Sequence, residues 1–271
     1  MSKKQILGGF LLGACLCLMT GAAQATELVP AFTNVPTGWT VDRYAPDSFT
    51  NVGTYAGHTD VLGIGIGPNG DAANRPAGQQ GTFYNTQGES YLVNGGIGDS
   101  MVAELYTPAS WADPNNGYVR TDMWGFMVTP LGGPADSGDY PIIGFTNYGG
   151  YVGFRVWDSN GAGAWVNLST TGVNYGGWND LEVGYTGNGF NYYVNDVLAA
   201  YIPVSVTPEY FADVAMQAYN FDDPTLYAGG VVPLAAMVPY TAHWSVPEPA
   251  TLLLFGAGLG LLGFARRRRA K

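Results

Sequence analysis

Two carboxylates set two residues apart, Asp180 and Glu182, come nearest to a catalytic pair in this chain. On an extended strand they share one face, about 6.8 Å apart at Cα. Glycoside hydrolysis asks for two carboxyl groups about 5 to 10 Å apart, one to protonate the leaving oxygen and one to attack or to activate water. Histidine chemistry has less to work with. Only His58 and His243 occur, the first in a turn-like Ala56-Gly57-His58-Thr59 and the second beside Trp244. Both read as surface or edge histidines, not as the base of a serine nucleophile. Asp222-Asp223 and Asp136-Ser137-Gly138-Asp139 cluster oxygens of the kind calcium takes, although polar turn residues are the simpler reading. No cofactor is expected. Sugar binding needs less than catalysis, namely aromatic faces that stack on pyranose rings, and Trp111, Trp157 and Trp165 are candidates among many aromatics that read as packing.

Charge narrows the partners. All 21 acidic residues lie from Glu27 to Glu248, where Arg43, Arg75, Arg120 and Arg155 are the only cations, a net charge of −17. Such a surface repels nucleic acid and anionic lipid, and suits a neutral polysaccharide or divalent cations. Both cysteines, Cys15 and Cys17, fall in an N-terminal apolar stretch that follows Lys3-Lys4 and ends at Ala23-Gln24-Ala25. That pattern is a secretory signal peptide over residues 1–25, cut by signal peptidase after Ala25, so the mature chain has no thiolate, disulfide or cysteine metal ligand.

The elements that must position these residues are strands. Aromatic and β-branched runs broken by Gly, Asn, Asp and Pro about every ten residues predict an all-β domain over residues 26–245, a two-sheet antiparallel β-sandwich. Predicted strands include 39–44, 48–55, 61–66, 81–85, 101–106, 118–122, 124–129, 141–147, 151–157, 164–168, 178–185, 190–194, 197–201, 214–219 and 240–244. The clearest stretch is Trp178 to Ile202, where Leu181, Val183 and Tyr185 alternate with Asp180, Glu182 and Gly184. Asn195-Asp196 then suits a two-residue type I′ turn. Arg155, on a similar strand, is expected to pair with Glu182. Asn147-Tyr148-Gly149-Gly150 and Asn174-Tyr175-Gly176-Gly177 each read as a turn leading into a strand, and residues 227–239 as a loop before the last strand.

The chain ends in three parts: Pro247-Glu248-Pro249, an apolar run over 250–265, and Arg266-Arg267-Arg268-Arg269-Ala270-Lys271. A 16-residue helix reaches about 24 Å, enough to span with snorkelling arginines, and four arginines after it keep that end in the cytoplasm. This tail over 246–271 resembles the PEP-CTERM sorting signal of Gram-negative bacteria. The resemblance implies a precursor held transiently in the inner membrane, cut by an exosortase near the motif, and passed to the outer surface or exopolysaccharide matrix.

The order of tryptophan, alternating strand, Gly-rich turn and Tyr192-Tyr193-Val194-Asn195 resembles the concanavalin A-like, LamG-like jelly roll. Some members of that fold are glucanases, yet their Glu-x-Asp-x-(x)-Glu strand motif is absent here. The expectation is therefore an exported, non-enzymatic module that associates with extracellular polysaccharide. A polysaccharide hydrolase or lyase using Asp180 and Glu182, or a structural surface protein without a ligand, are the alternatives.

Overall fold

The computed structural model describes residues 26–134, 137–160, 163–207, 209–227 and 231–247. The expected signal helix over 1–25 and membrane helix over 250–265 lie outside the described residues. Among those described, no helix is long and apolar enough to cross a membrane, and the only helical elements are short 3-10 turns.

Strand alternation is visible wherever one face meets the core. In β11 (Gly177–Tyr185), Leu181, Val183 and Tyr185 are buried while Asp180 is exposed. Strands β12 (Gly189–Val194) and β13 (Val197–Pro203) complete the meander. The turn joining them has Asn195 at φ 51° and Asp196 at φ 63°, as a type I′ turn requires. The sheet continues beyond the meander through β6 (Ser100–Thr107), β15 (Tyr240–Ser245), β4 (Leu62–Ile66) and β3 (Ser48–Asn51). These strands form an antiparallel sheet in the order β13-β12-β11-β6-β15-β4-β3, and β1 (Glu27–Leu28) adds to β6 in parallel as its eighth strand.

A seven-stranded sheet faces it, in the order β10-β9-β8-β7-β14-β5-β2. Its strands are β10 (Ala164–Asn167), β9 (Gly153–Asp158), β8 (Ile142–Thr146), β7 (Arg120–Val128), β14 (Tyr210–Tyr219), β5 (Thr86–Gly95) and β2 (Trp39–Val41). Between the sheets lies one apolar core that includes Phe145, Phe154, Tyr185, Phe190, Tyr192, Phe211 and Trp244. Trp244 ties the layers: its Nε1 donates to Thr121 Oγ1 on β7 at 2.9 Å. The Tyr240 hydroxyl lies 2.7 Å from Arg120 O and 2.8 Å from Tyr219 O, closing one end.

Three expectations need correction. Residues 81–85 are not a strand: Thr82–Asn85 is a 3-10 turn, and the strand follows it as β5. The predicted strands 118–122 and 124–129 are one strand, β7, buried from Thr121 to Val128 on both faces and so lacking alternation. Arg155 does not pair with Glu182, because β9 and β11 belong to different sheets. The two Asn-Tyr-Gly-Gly stretches are turns as expected, with Gly149, Gly150 and Gly176 at positive φ.

Candidate binding groove and the root of the tail

Alternate residues of β7, namely Arg120, Asp122, Trp124 and Phe126, point away from the core onto the outer face of the seven-stranded sheet. Strand register extends each into a row. One row is apolar: Ala215 pairs with Trp124, Trp124 with Ile142, and Trp157 with Trp165. The next is polar: Gln217, Asp122, Gly144, Arg155 and Asn167 lie side by side across five strands. Gly144 keeps that row flat, since a side chain there would run into the Thr121 carbonyl and the Asp122 carboxylate. Trp124, Phe126, Ile142 and Ala215 form an apolar cluster of their own, with Tyr140, Trp157 and Trp165 packed against it.

Above these rows opens a cavity of ≈ 340 Å³, lined by Arg43, Thr86, Arg120, Trp124, Tyr140, Ile142, Trp157 and Trp165. Arginines stack on its walls: Arg155 lies 3.7 Å and Arg120 4.8 Å from the Trp165 ring centre, and Arg43 lies 4.5 Å from that of Trp124. Arg120 Nε donates to Asp122 Oδ2 at 2.6 Å, and Arg43 sits 3.6 Å from Asp42. Burial pushes the Arg155 guanidinium down to about 10, with Asp122 opposing the shift and Arg120 adding to it; it stays cationic at neutral pH. Among the described residues, four buried polar atoms of this sheet face have no hydrogen-bond partner: Asp122 Oδ1, Trp124 Nε1, Arg155 Nε and Gln217 Oε1, of which only Trp124 belongs to the cavity's lining. Two are acceptors and two are donors, and Asp122 and Gln217 are 1% and 0% exposed.

The opposite face of the molecule gathers the remaining chemistry. His58 Nδ1 lies 3.0 Å from Glu104 Oε2 and 3.1 Å from Ser245 Oγ, and its ring stacks on Trp178 at 4.4 Å. The ring of Tyr55 stacks on His243 at 3.8 Å. Two histidines 185 positions apart in the chain thus share one aromatic cluster on the eight-stranded sheet. A serine relay needs carboxylate and hydroxyl on opposite imidazole nitrogens; here both meet Nδ1. Burial pushes the His243 imidazole down, which favours its neutral form. Asp180 is exposed on the same face, level with Glu104, and Glu182 is level with Val102. This pair lies on the far side of the sandwich from the groove.

Ser245 ends β15, and residues 245–269 match the family model described as the PEP-CTERM protein-sorting motif. The chain ends in a PEP-CTERM sorting signal. It marks the protein for export and for membrane-anchored sorting by an exosortase. No curated protein matches the chain. Among solved structures, an uncharacterized protein from Mycobacterium paratuberculosis aligns over 80% of this chain and 93% of its own, with 12% identity and a TM-score of 0.46. An immunostimulatory antigen and pseudo β-1,3-glucanase of Mycobacterium tuberculosis aligns over 80% and 93%, with 14% identity and a TM-score of 0.42. A β-glucanase of Bacillus licheniformis aligns over 81% and 97%, with 14% identity and a TM-score of 0.39.

In the body that precedes this motif the calcium candidates go to separate partners. Asp223 is fully buried and accepts from Asn85 Nδ2 at 2.9 Å. Asp222 lies beside Asp71, whose carboxyl burial pushes up to about 6, with repulsion from Asp222 and Asp47 adding. Asp139 accepts from Ser205 N and Oγ, both at 2.6 Å, while Asp136 lies outside the described residues. Among the described residues no group of three or more His, Cys, Asp or Glu side chains could hold a metal ion. The sorting residues expected from the sequence, Pro247, Glu248, Pro249 and Arg266–Arg269, fall within the matched span 245–269, and the signal-cleavage residues Ala23 and Ala25 lie outside the described residues. Sequence reasoning singled out Trp157 and Trp165 but missed Arg43, Arg120, Asp122, Trp124 and Gln217. Arg120, Asp122, Trp124 and Phe126 share one face of β7 by their spacing of two, whereas nothing local marks Arg43 or Gln217.

Proposed function

We propose that the body is a non-enzymatic module that holds extracellular polysaccharide in the groove of the seven-stranded sheet. After signal peptidase cuts behind Ala25, the precursor stays in the inner membrane by its tail until an exosortase passes it to the outer surface or matrix. The observation that carries the binding reading is the cavity's lining, which sets Trp124, Tyr140, Trp157 and Trp165 beside Thr86, Arg43 and Arg120. Aromatic walls with hydroxyl and guanidinium groups among them suit a ligand with an apolar face and closely spaced hydroxyls. A sugar has both, and its apolar face stacks on indole. The non-enzymatic reading is favoured because the carboxylates near the groove are already engaged, Asp122 by Arg120 and Asp42 by Arg43 and Gln217.

A glycan array paired with a reducing-sugar assay tests this. The full chain is expected to bind a polysaccharide without releasing reducing ends, and Trp165→Ala should weaken binding about tenfold or more, within the range for losing a stacked ring. Turnover abolished by Asp180→Asn or Glu182→Gln would refute the non-enzymatic reading.

A further inference from the structure

We infer that the polysaccharide is held as a chain across two hollows, the groove above and a second one at the Tyr118 end of β7, and that the second takes uncharged sugar rings. The inference rests on the binding reading above and adds the form of the ligand: a neutral polymer gripped along its length, not a single sugar.

The second hollow is the first ground. It has a volume of ≈ 440 Å³ and is open to solvent, and its lining includes Asn115, Tyr118, Asn147, Tyr148, Gly149 and Tyr151. Each of the two hollows falls in the range of a small-molecule site, about 300–1,000 Å³. Among the described residues none that lines the second is charged, in a body whose net charge from Glu27 to Glu248 is −17. Tyrosine rings with hydroxyl and amide groups beside them offer stacking and hydrogen bonds without charge, which is what a neutral sugar can use. Gly149 and Gly150 sit at positive φ, and a Cβ on either would meet no atom within 4 Å, so this turn leaves the mouth of the hollow clear.

Placement is the second ground. Strands β7 and β8 stay paired past their ends: Asn147 N–H donates to Val119 O at 3.1 Å, and Val119 N–H donates to Asn147 Oδ1 at 2.6 Å. Tyr118 and Tyr148 follow as the next pair, with ring centres 5.1 Å apart. A spacing of two puts Tyr118 on the outer face with Arg120, Asp122 and Trp124, and Tyr148 with Ile142 and Gly144. Arg120 lines the first hollow and Tyr118 the second, about 7 Å apart at Cα, while Trp124 to Tyr118 spans about 20 Å. The ground between is packed. The Arg120 guanidinium lies 5.1 Å from the Tyr219 ring centre, Tyr219 lies 4.9 Å from Phe221, and Phe221 lies 4.7 Å from Tyr148. Two hollows of like chemistry fixed in line on one face match a ligand whose units recur along a line. Their fixed spacing lowers the cost of engaging the second once the first is filled.

Oligosaccharide length is the variable that tests this. Full-length protein in detergent micelles is titrated with cello-, xylo- and manno-oligosaccharides and with β-1,3-gluco-oligosaccharides, each from disaccharide to octasaccharide. At least one series is expected to gain about tenfold or more in affinity between disaccharide and octasaccharide. Asn115→Trp places a large ring at an exposed position on the second hollow. It should erase that gain while leaving the disaccharide's affinity within about twofold. Tyr148→Phe keeps the ring on Phe221 and removes only the hydroxyl, and should cut the octasaccharide's affinity about threefold without touching the disaccharide's. Trp165→Ala should weaken all lengths together. Three results overturn the two-hollow chain while sugar binding stands: equal affinity for disaccharide and octasaccharide in wild type, a length gain that survives both Asn115→Trp and Tyr148→Phe, or equal weakening of short and long oligomers by Asn115→Trp. Failure of every series to bind, or indifference of all lengths to Trp165→Ala, overturns the groove reading itself.

Discussion

Glu209 makes the stability of the sandwich fall as pH rises through neutrality. Its side chain is fully buried; Oε1 accepts from Asp139 N–H at 2.5 Å, and the Asp139 carboxylate lies against it. Burial pushes the Glu209 carboxyl up to about 7, and repulsion from Asp139 together with sharing of a proton between the two acids adds to the shift. In the unfolded chain the same group titrates near 4.3. Between those two values the native state holds a proton that the unfolded state has released, so the stabilisation is complete below about pH 4 and drains away up to about pH 7. Integrating the linkage over that window gives a loss of about 2 kcal/mol between pH 5 and pH 7, equivalent to about 4–8 °C in Tm for a chain of this size. His243 works the other way, since its lowered imidazole favours the native state as pH rises, and Asp71 adds to the fall at lower pH. Glu209→Gln isolates the one contribution: it keeps an acceptor for Asp139 N–H, offers a donor to the Asp139 carboxylate, and cannot ionise. Urea unfolding of both proteins from pH 4 to pH 8 should show the variant gaining on wild type by about 3 kcal/mol across that range, about 2 kcal/mol of it between pH 5 and pH 7. A difference between them that stays flat, or that grows toward acid, refutes the assignment of the proton to Glu209.

Two further substitutions probe the frame of the groove. Trp244→Phe removes the indole N–H that reaches Thr121 and leaves part of a fully buried volume empty; a loss of about 2–4 kcal/mol in urea is expected. A cost under about 1 kcal/mol would mean the layers do not depend on that tie. Gly144→Ala places a methyl group against the Asp122 carboxylate and the Thr121 carbonyl, and should cost about 1–3 kcal/mol and weaken glycan binding in the same variant. Unchanged stability would show that the polar row has slack.

What the sequence disclosed depended on whether a pattern was local. The meander from Trp178 to Ile202 was legible because one of its faces meets the core and the other meets water, and because Asn195-Asp196 are residues that accept positive φ. Strand β7 was read as two pieces, since an apolar cluster on its outer face buries both sides and erases the alternation that would have shown it as one. Strand β5 hid behind Gln87, Gly88 and Glu89, polar or small residues that are nonetheless buried, while the aromatic pair Phe83-Tyr84 drew the assignment to a 3-10 turn instead. The groove is a matter of register: Gln217, Asp122 and Arg155 become neighbours only once β14, β7 and β9 are aligned. Nothing along the chain announces that alignment, nor that His58 and His243 share one cluster. The sorting motif was fully readable, because its three parts are contiguous.

Strand β15 has a consequence for where the tail can be cut. It fills the slot between β4 and β6, and the matched motif begins on its last residue. Without residues 240–245 that slot stands empty and Leu62, Ile64 and Leu105 lose their cover. A cut that leaves the sandwich whole therefore has to fall beyond Ser245.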